Sequence, residues 1–208
     1  MKNNTLKGIY AITPSGLKEK ILIKKVTLLL KKGVHLLQYR DKKSSSEEKL
    51  KISKRLKQIS DDFESILIIN DDPLLAKEVG AEGVHLGQKD ISYEKARTLL
   101  GPKAIIGISC QNNLELALKA QAQGANYVAF GSIYQTKSKN NVVYSSIEEL
   151  RSLVRGVKIP CAAIGGINIT NLNEVRTSGV DMFAISSGLF EDEKTIDKII
   201  TLSRSFSS

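Results

Sequence analysis

A chain of 208 residues with 41% apolar and 25% charged side chains is long enough for one domain with a substantial core, and its balance argues against disorder. The formal charge of +9, from 31 Lys and Arg against 22 Asp and Glu, points to an anionic partner such as a phosphate ester, or simply to a lysine-rich solvated surface. With no Trp and 5% aromatic residues there is no base-stacking platform, so nucleic acid is not expected as a partner. No apolar run approaches the roughly 18 residues of a membrane span, and the first residues lack the apolar core of a signal peptide. Cys110 and Cys161 match no metal-ligand spacing and read as buried thiols of a reducing compartment, so a cytoplasmic location is expected.

Short apolar runs alternate with helical patterns along the whole chain. Gly8–Ile12 reads as a strand, Leu17–Lys32 as an amphipathic helix, His35–Arg40 as a strand, and Ser46–Asp62 as a Lys/Glu-rich helix. Strand Ile66–Asn70, helix Pro73–Val79, strand Gly83–Leu86 and helix Tyr93–Leu100 follow. Next come strand Ile105–Ser109, helix Leu114–Gln123, strand Tyr127–Gly131, a long polar loop and helix Ser146–Val154. The chain closes with strand Cys161–Ile164, helix Thr170–Ser178, strand Met182–Ser186 and helix Glu193–Ser203. Strict alternation implies right-handed βαβ units and a parallel sheet. Spread over eight such units, 208 residues leave 26 for each, enough for a compact single-domain (β/α)8 TIM barrel. A doubly wound open sheet is the alternative. Against it, Thr13-Pro14-Ser15-Gly16 follows the first strand where a dinucleotide-binding glycine fingerprint would stand.

The strand ends carry the unusual chemistry. In the second strand Gln38, Arg40 and Lys42 share parity and would line up towards the barrel mouth, a placement that suits anionic oxygens. Asp71 follows the third strand and Asp90 the fourth, on what would be one rim. Two carboxylates there suggest a divalent cation bridging to a phosphorylated ligand, and Mg²⁺ takes one or two carboxylates plus phosphate oxygens. Helix capping is the alternative for each, although Asp72-Pro73 makes Asp72 the better cap after strand three. Thr136, Lys137, Ser138 and Lys139 open the long loop with hydroxyls and cations suited to phosphate. Gly165-Gly166 after strand seven, and Ile185-Ser186 after strand eight, occupy the two places where barrels often hold phosphate. His85 reads as a hydrogen-bonded structural histidine, and no Ser/His/Asp or Cys/His constellation is present in the pattern.

These residues resemble the thiamine phosphate synthase family over nearly the whole chain. The resemblance rests on Tyr10-Ala11-Ile12-Thr13, on Gln38-x-Arg40-x-Lys42, on Asn70-Asp71 and on the run from Gly83 to Asp90. Gly107-Ile108-Ser109, Thr136–Lys139 and Ala163–Ile167 extend it. It implies a transferase that joins hydroxymethylpyrimidine diphosphate to hydroxyethylthiazole phosphate with release of pyrophosphate, assisted by Mg²⁺. On the family's pattern Asp71 and Asp90 would be the metal ligands, and Gln38, Arg40, Lys42, Asn70 and Lys139 the pyrophosphate contacts. Ser109 would lie near the pyrimidine, Thr136 and Ser138 near the thiazole phosphate, with Gly166, Ile185 and Ser186 also holding that phosphate. Cys110-Gln111 departs from the Thr-His expected there, and the loop after Lys139 lacks a glycine until Gly156. Two rivals use similar residues: a related barrel that aromatises the thiazole phosphate tautomer, and a non-catalytic thiazole phosphate sensor. Self-association into a homo-oligomer is left open.

Overall fold

The computed structural model describes residues 6–135 and 144–204. Eight units follow one another: β1 (Gly8–Ile12), α1 (Glu19–Lys31), β2 (Leu36–Tyr39), α2 (Ser46–Asp62), β3 (Ile66–Asn70), α3 (Pro73–Val79), β4 (Gly83–Leu86) and α4 (Tyr93–Leu100). The second half is β5 (Ile105–Gln111), α5 (Leu114–Gln123), β6 (Tyr127–Phe130), α6 (Ile147–Arg155), β7 (Cys161–Ile164), α7 (Leu172–Arg176), β8 (Met182–Ile185) and α8 (Glu193–Arg204). Each strand pairs in parallel with its successor, and β1 pairs with β8, so the sheet closes into a (β/α)8 barrel. Among the described residues no helix is long and apolar enough to cross a membrane.

The strands read as continuous apolar runs because both of their faces are covered. In β3, Leu67 and Ile69 pack outward against the helical layer, while Ile66 and Ile68 point into the barrel. The interior layer also holds Tyr10, Ile12, Leu36, Ile105, Tyr127, Ala129, Ala162, Met182 and Ala184. Burial of each large aliphatic side chain contributes about 1.5–3 kcal/mol. Two glycines make this filling work. A Cβ at Gly83 would lie 1.9 Å from the Ile105 carbonyl oxygen, and one at Gly107 would lie 2.0 Å from Cζ of Tyr127. Gly107 thus gives the Tyr127 ring the space to lie across β5.

Local signals set the helix starts. Ser45 and Glu48 form a capping box at α2, and Ser146 and Glu149 form another at α6. The helix expected over Thr170–Ser178 is shorter. Asn168 Oδ1 accepts from both the N–H (2.8 Å) and the hydroxyl (2.6 Å) of Thr170, which holds that residue in a turn ahead of α7. In β5 the strand runs on to Gln111 through a register shift between Ser109 and Gln111 against β6. The shift leaves Cys110 buried and Ser109 at the barrel mouth.

Candidate active site

The carboxyl ends of the strands form one rim, and β3 and β4 bring two acidic residues to it. Asp71 takes a left-handed backbone, φ 64°, that Asp and Asn tolerate better than most side chains. Its N–H still donates to the His85 carbonyl at 2.8 Å, so the chain turns directly out of the β3–β4 ladder. The next residue, Asp72, accepts the Leu75 N–H at 2.9 Å and caps α3. Ser92 caps α4 by accepting the Lys95 N–H. Asp90 instead turns back to accept the Gly87 N–H at 2.7 Å. Neighbours therefore do the capping, and the Asp71 and Asp90 carboxyl groups lie close enough to alter each other's ionisation.

Burial opposes ionisation at both. At Asp71 the Lys42 ammonium and the contact with Asp90 outweigh it and hold the carboxyl below its ordinary value. At Asp90 burial and the neighbouring Asp71 outweigh the Gly87 N–H and push the carboxyl up. Like charges in contact cannot both ionise without cost, and a divalent cation between them removes that cost. Among the described residues no cluster of three or more His, Cys, Asp or Glu is placed to hold a metal. A pair of carboxylates suits Mg²⁺ nonetheless, because this ion keeps water and substrate phosphate in its remaining positions.

The second strand supplies the cations. Lys42 pairs with Asp71, and its side chain is still half exposed at the mouth. Arg40 is fixed through its backbone: its N–H donates to Thr13 Oγ1 at 2.8 Å, and that hydroxyl donates to the Arg40 carbonyl at 3.1 Å. The Ser15 hydroxyl accepts from the Arg40 guanidinium at 3.4 Å and from the Lys42 N–H at 3.2 Å. The β1 loop thereby braces the end of β2. Gln38 shares parity with these cations, but it lies one layer deeper. It is buried inside the barrel, where its Nε2 donates to the Tyr10 hydroxyl at 2.6 Å.

From Gln38 a chain of polar groups crosses the barrel. The Tyr10 and Tyr127 hydroxyls are 2.7 Å apart, with their rings edge to face. Tyr127 meets His85 Nδ1 at 2.9 Å, and His85 Nε2 meets Ser109 Oγ at 2.9 Å. The Ser109 carbonyl accepts from Gln88 Nε2 at 2.6 Å. Burial pushes both tyrosine hydroxyls up, so both stay neutral. Asn70, half-buried at the end of β3, sits opposite His85 in register.

Across the mouth, β7 and β8 place Gly166, Ile185 and Ser186 on the same rim. Gly166 has φ 66°, and a Cβ there would lie 2.7 Å from Tyr134 Cβ. The loop after β6 lies against this turn through hydrogen bonds from Ile133 N–H to the Ile164 carbonyl and from Tyr134 N–H to the Gly165 carbonyl. Thr136, Ser138 and Lys139, predicted from the sequence, lie outside the described residues. Sequence reasoning assigned no role to Ser15, Gln88, Tyr10 or Tyr127. The inward parity of the two tyrosines is the signal that could have found them, since a buried hydroxyl requires a partner. A surface groove lined by Glu19, Lys51, Arg55 and Gln58 lies on the outer helical layer and takes no part in this site.

Known proteins with the same organisation identify the family. The family model described as thiamine monophosphate synthase matches residues 9–189. A thiamine-phosphate synthase of Nitrosococcus oceani is 42% identical over 190 residues, covering 91% of this chain and 88% of that protein. One of Clostridium acetobutylicum is 41% identical over 199 residues, covering 95% and 93%. The solved structure of a thiamine phosphate pyrophosphorylase from Pyrococcus furiosus superposes with a TM-score of 0.85 at 33% identity, covering 99% of this chain and 98% of that one. The chain is a transferase of thiamine biosynthesis and belongs to the thiamine monophosphate synthase family.

Proposed function

We propose that the rim couples hydroxymethylpyrimidine diphosphate to hydroxyethylthiazole phosphate, giving thiamine phosphate and pyrophosphate. The observation that carries this reading is the Asp71–Asp90 pair, released from capping duty and met by Lys42, with Arg40 braced beside it. Such a cluster of opposite charges at a barrel mouth suits a diphosphate and its counter-cation.

In the reaction the bond between the pyrimidine methylene carbon and the diphosphate oxygen breaks first, and the bonding electrons leave with pyrophosphate. Arg40 and Lys42, with Asn70 and Lys139, bind the departing oxygens and stabilise the charge that develops on them. Asp71 and Asp90 would hold Mg²⁺, which when bound supplies further charge neutralisation to the leaving group. Ser109 orients the pyrimidine at the mouth. Gly166, Ile185 and Ser186, with Thr136 and Ser138, hold the thiazole phosphate so that the ring nitrogen faces the methylene carbon. That nitrogen carries no proton, so the new C–N bond forms without a general base. The engagement of both His85 nitrogens within the barrel fits this economy. Two buried, free cysteines fit a cytoplasmic setting.

The test is direct. Purified protein, both substrates and Mg²⁺ are expected to give equimolar pyrophosphate and thiamine phosphate. With the thiazole phosphate supplied as its non-aromatic tautomer, aromatisation without coupling would point to the tautomerase, and bound thiazole phosphate without any product would point to a sensor. Either result would overturn the synthase reading.

A further inference from the structure

The five-membered chain Gln38–Tyr10–Tyr127–His85–Ser109 spans the barrel from β2 to β5, and a simple proton count gives it a direction. The Gln38 Nε2 that faces Tyr10 can only donate. Tyr10 is 1% exposed, and the partners of its hydroxyl are Gln38 and Tyr127. Since its oxygen accepts from Gln38, its one proton must go to Tyr127. The opposite arrangement, with Tyr127 donating to Tyr10, strands the Tyr10 proton in the core without an acceptor, which is costly. Tyr127 then accepts from Tyr10 and gives its own proton to His85 Nδ1. His85 Nδ1 is therefore the bare nitrogen, and Nε2 carries the hydrogen, which it donates to Ser109 Oγ. Ser109 accepts inside the barrel and has its proton left for the mouth.

We infer that this chain is a relay of fixed polarity, in which Tyr10, Tyr127 and His85 act as positioning residues that present the Ser109 hydroxyl to the substrate as a donor. The consequence is selective. A ligand offering a lone pair at that point, such as an aromatic ring nitrogen, takes the hydroxyl proton directly, whereas one offering an N–H has only the second lone pair of Ser109 Oγ to meet, the first being held by His85 Nε2–H. That the ligand is the pyrimidine rests on the function proposed above; the polarity of the relay does not. The filling of the barrel supports the arrangement, because Gly107 admits the Tyr127 ring and that ring lies stacked on His85 with centroids 5.5 Å apart. The hydroxyl and both ring nitrogens are thereby held in line by packing as well as by hydrogen bonds.

The relay is tested by the tautomer of His85, read from long-range ¹H–¹⁵N spectra of the full-length protein. There are two histidines in the chain, so His35→Asn assigns the signals. The wild type is expected to show Nε2–H with Nδ1 unprotonated. Gln38→Glu, read at a pH high enough to ionise the introduced carboxyl, replaces the terminal donor by an acceptor three hydrogen bonds away from the ring. It is expected to reverse every bond and switch His85 to Nδ1–H. Adding Tyr10→Phe to that variant cuts the chain and is expected to prevent the switch. A wild type with Nδ1–H would overturn the inference, and so would a folded Gln38→Glu protein that keeps Nε2–H. A switch that persists in the double variant would overturn it as well. If Gln38→Glu does not fold, the wild-type spectrum still decides. Because the readout is independent of turnover, a correct tautomer in a protein without coupling activity would sink the proposed reaction alone.

Discussion

Asp71→Asn is expected to lower the rate of coupling by roughly a hundred- to a thousandfold, the range seen when one preorganised electrostatic contact is removed from a transition state. Asparagine is the informative replacement here. It tolerates the left-handed backbone at φ 64°, where Ala would add strain, and it removes only the charge. The fold should therefore survive, with an unchanged circular dichroism spectrum. The neighbouring residue gives the contrast. Asp72 caps α3, so Asp72→Ala should cost about 1 kcal/mol of stability and leave coupling near wild-type values below the melting range. Two adjacent carboxylates would then separate by role, one kinetic and one structural. If Asp71→Asn kept full activity, the rim carboxylates would not be part of the reaction.

Lys42→Met is expected to have the second-largest effect, and an unusual one. Lys42 has two tasks in this reading: it pairs with Asp71, and it faces the departing diphosphate. Its removal should lower kcat/KM by roughly a hundredfold through the lost contact to the leaving group. The same change frees Asp71 from a competing ammonium, so the Mg²⁺ concentration needed for half-maximal activity should fall. Stability should barely move, since a half-exposed ion pair is worth about 0–1 kcal/mol. A steady-state titration with Mg²⁺ separates the two effects. A reduced rate with an increased Mg²⁺ requirement would mean that Lys42 helps to assemble the cation site rather than competing for it.

Most of the barrel was legible in the chain, because each of its levels follows a local rule. Apolar runs such as Ile66–Asn70 are buried on both faces, and Asp72-Pro73, Ser45 with Glu48, and Ser146 with Glu149 announce helix starts. What escaped depends on contacts between distant segments. Thr170 has ordinary helix-edge character until Asn168 takes its N–H, and β5 extends past Ser109 because of its pairing with β6. At the site, parity put Gln38, Arg40 and Lys42 on one face of the chain. It did not distinguish the depth at which Gln38 meets Tyr10 from the exposed mouth that Lys42 reaches. The relay was illegible for a similar reason. Tyr10 and Tyr127 stand 117 positions apart, and neither hydroxyl has a local partner that would mark it. The capping alternatives for Asp71 and Asp90 likewise needed the structure, which shows Asp72 and Ser92 doing that work.

The claim at the centre of this account is that Asp71 and Asp90, with the cations of the second strand, form one Mg²⁺–diphosphate site. Calorimetric titration of inorganic pyrophosphate into the protein, with Mg²⁺ and then with EDTA, tests it most directly. The account predicts saturable binding with Mg²⁺ that is lost in EDTA and lost again in Asp71→Asn. Equal binding with and without Mg²⁺, undiminished by Asp71→Asn, would contradict it.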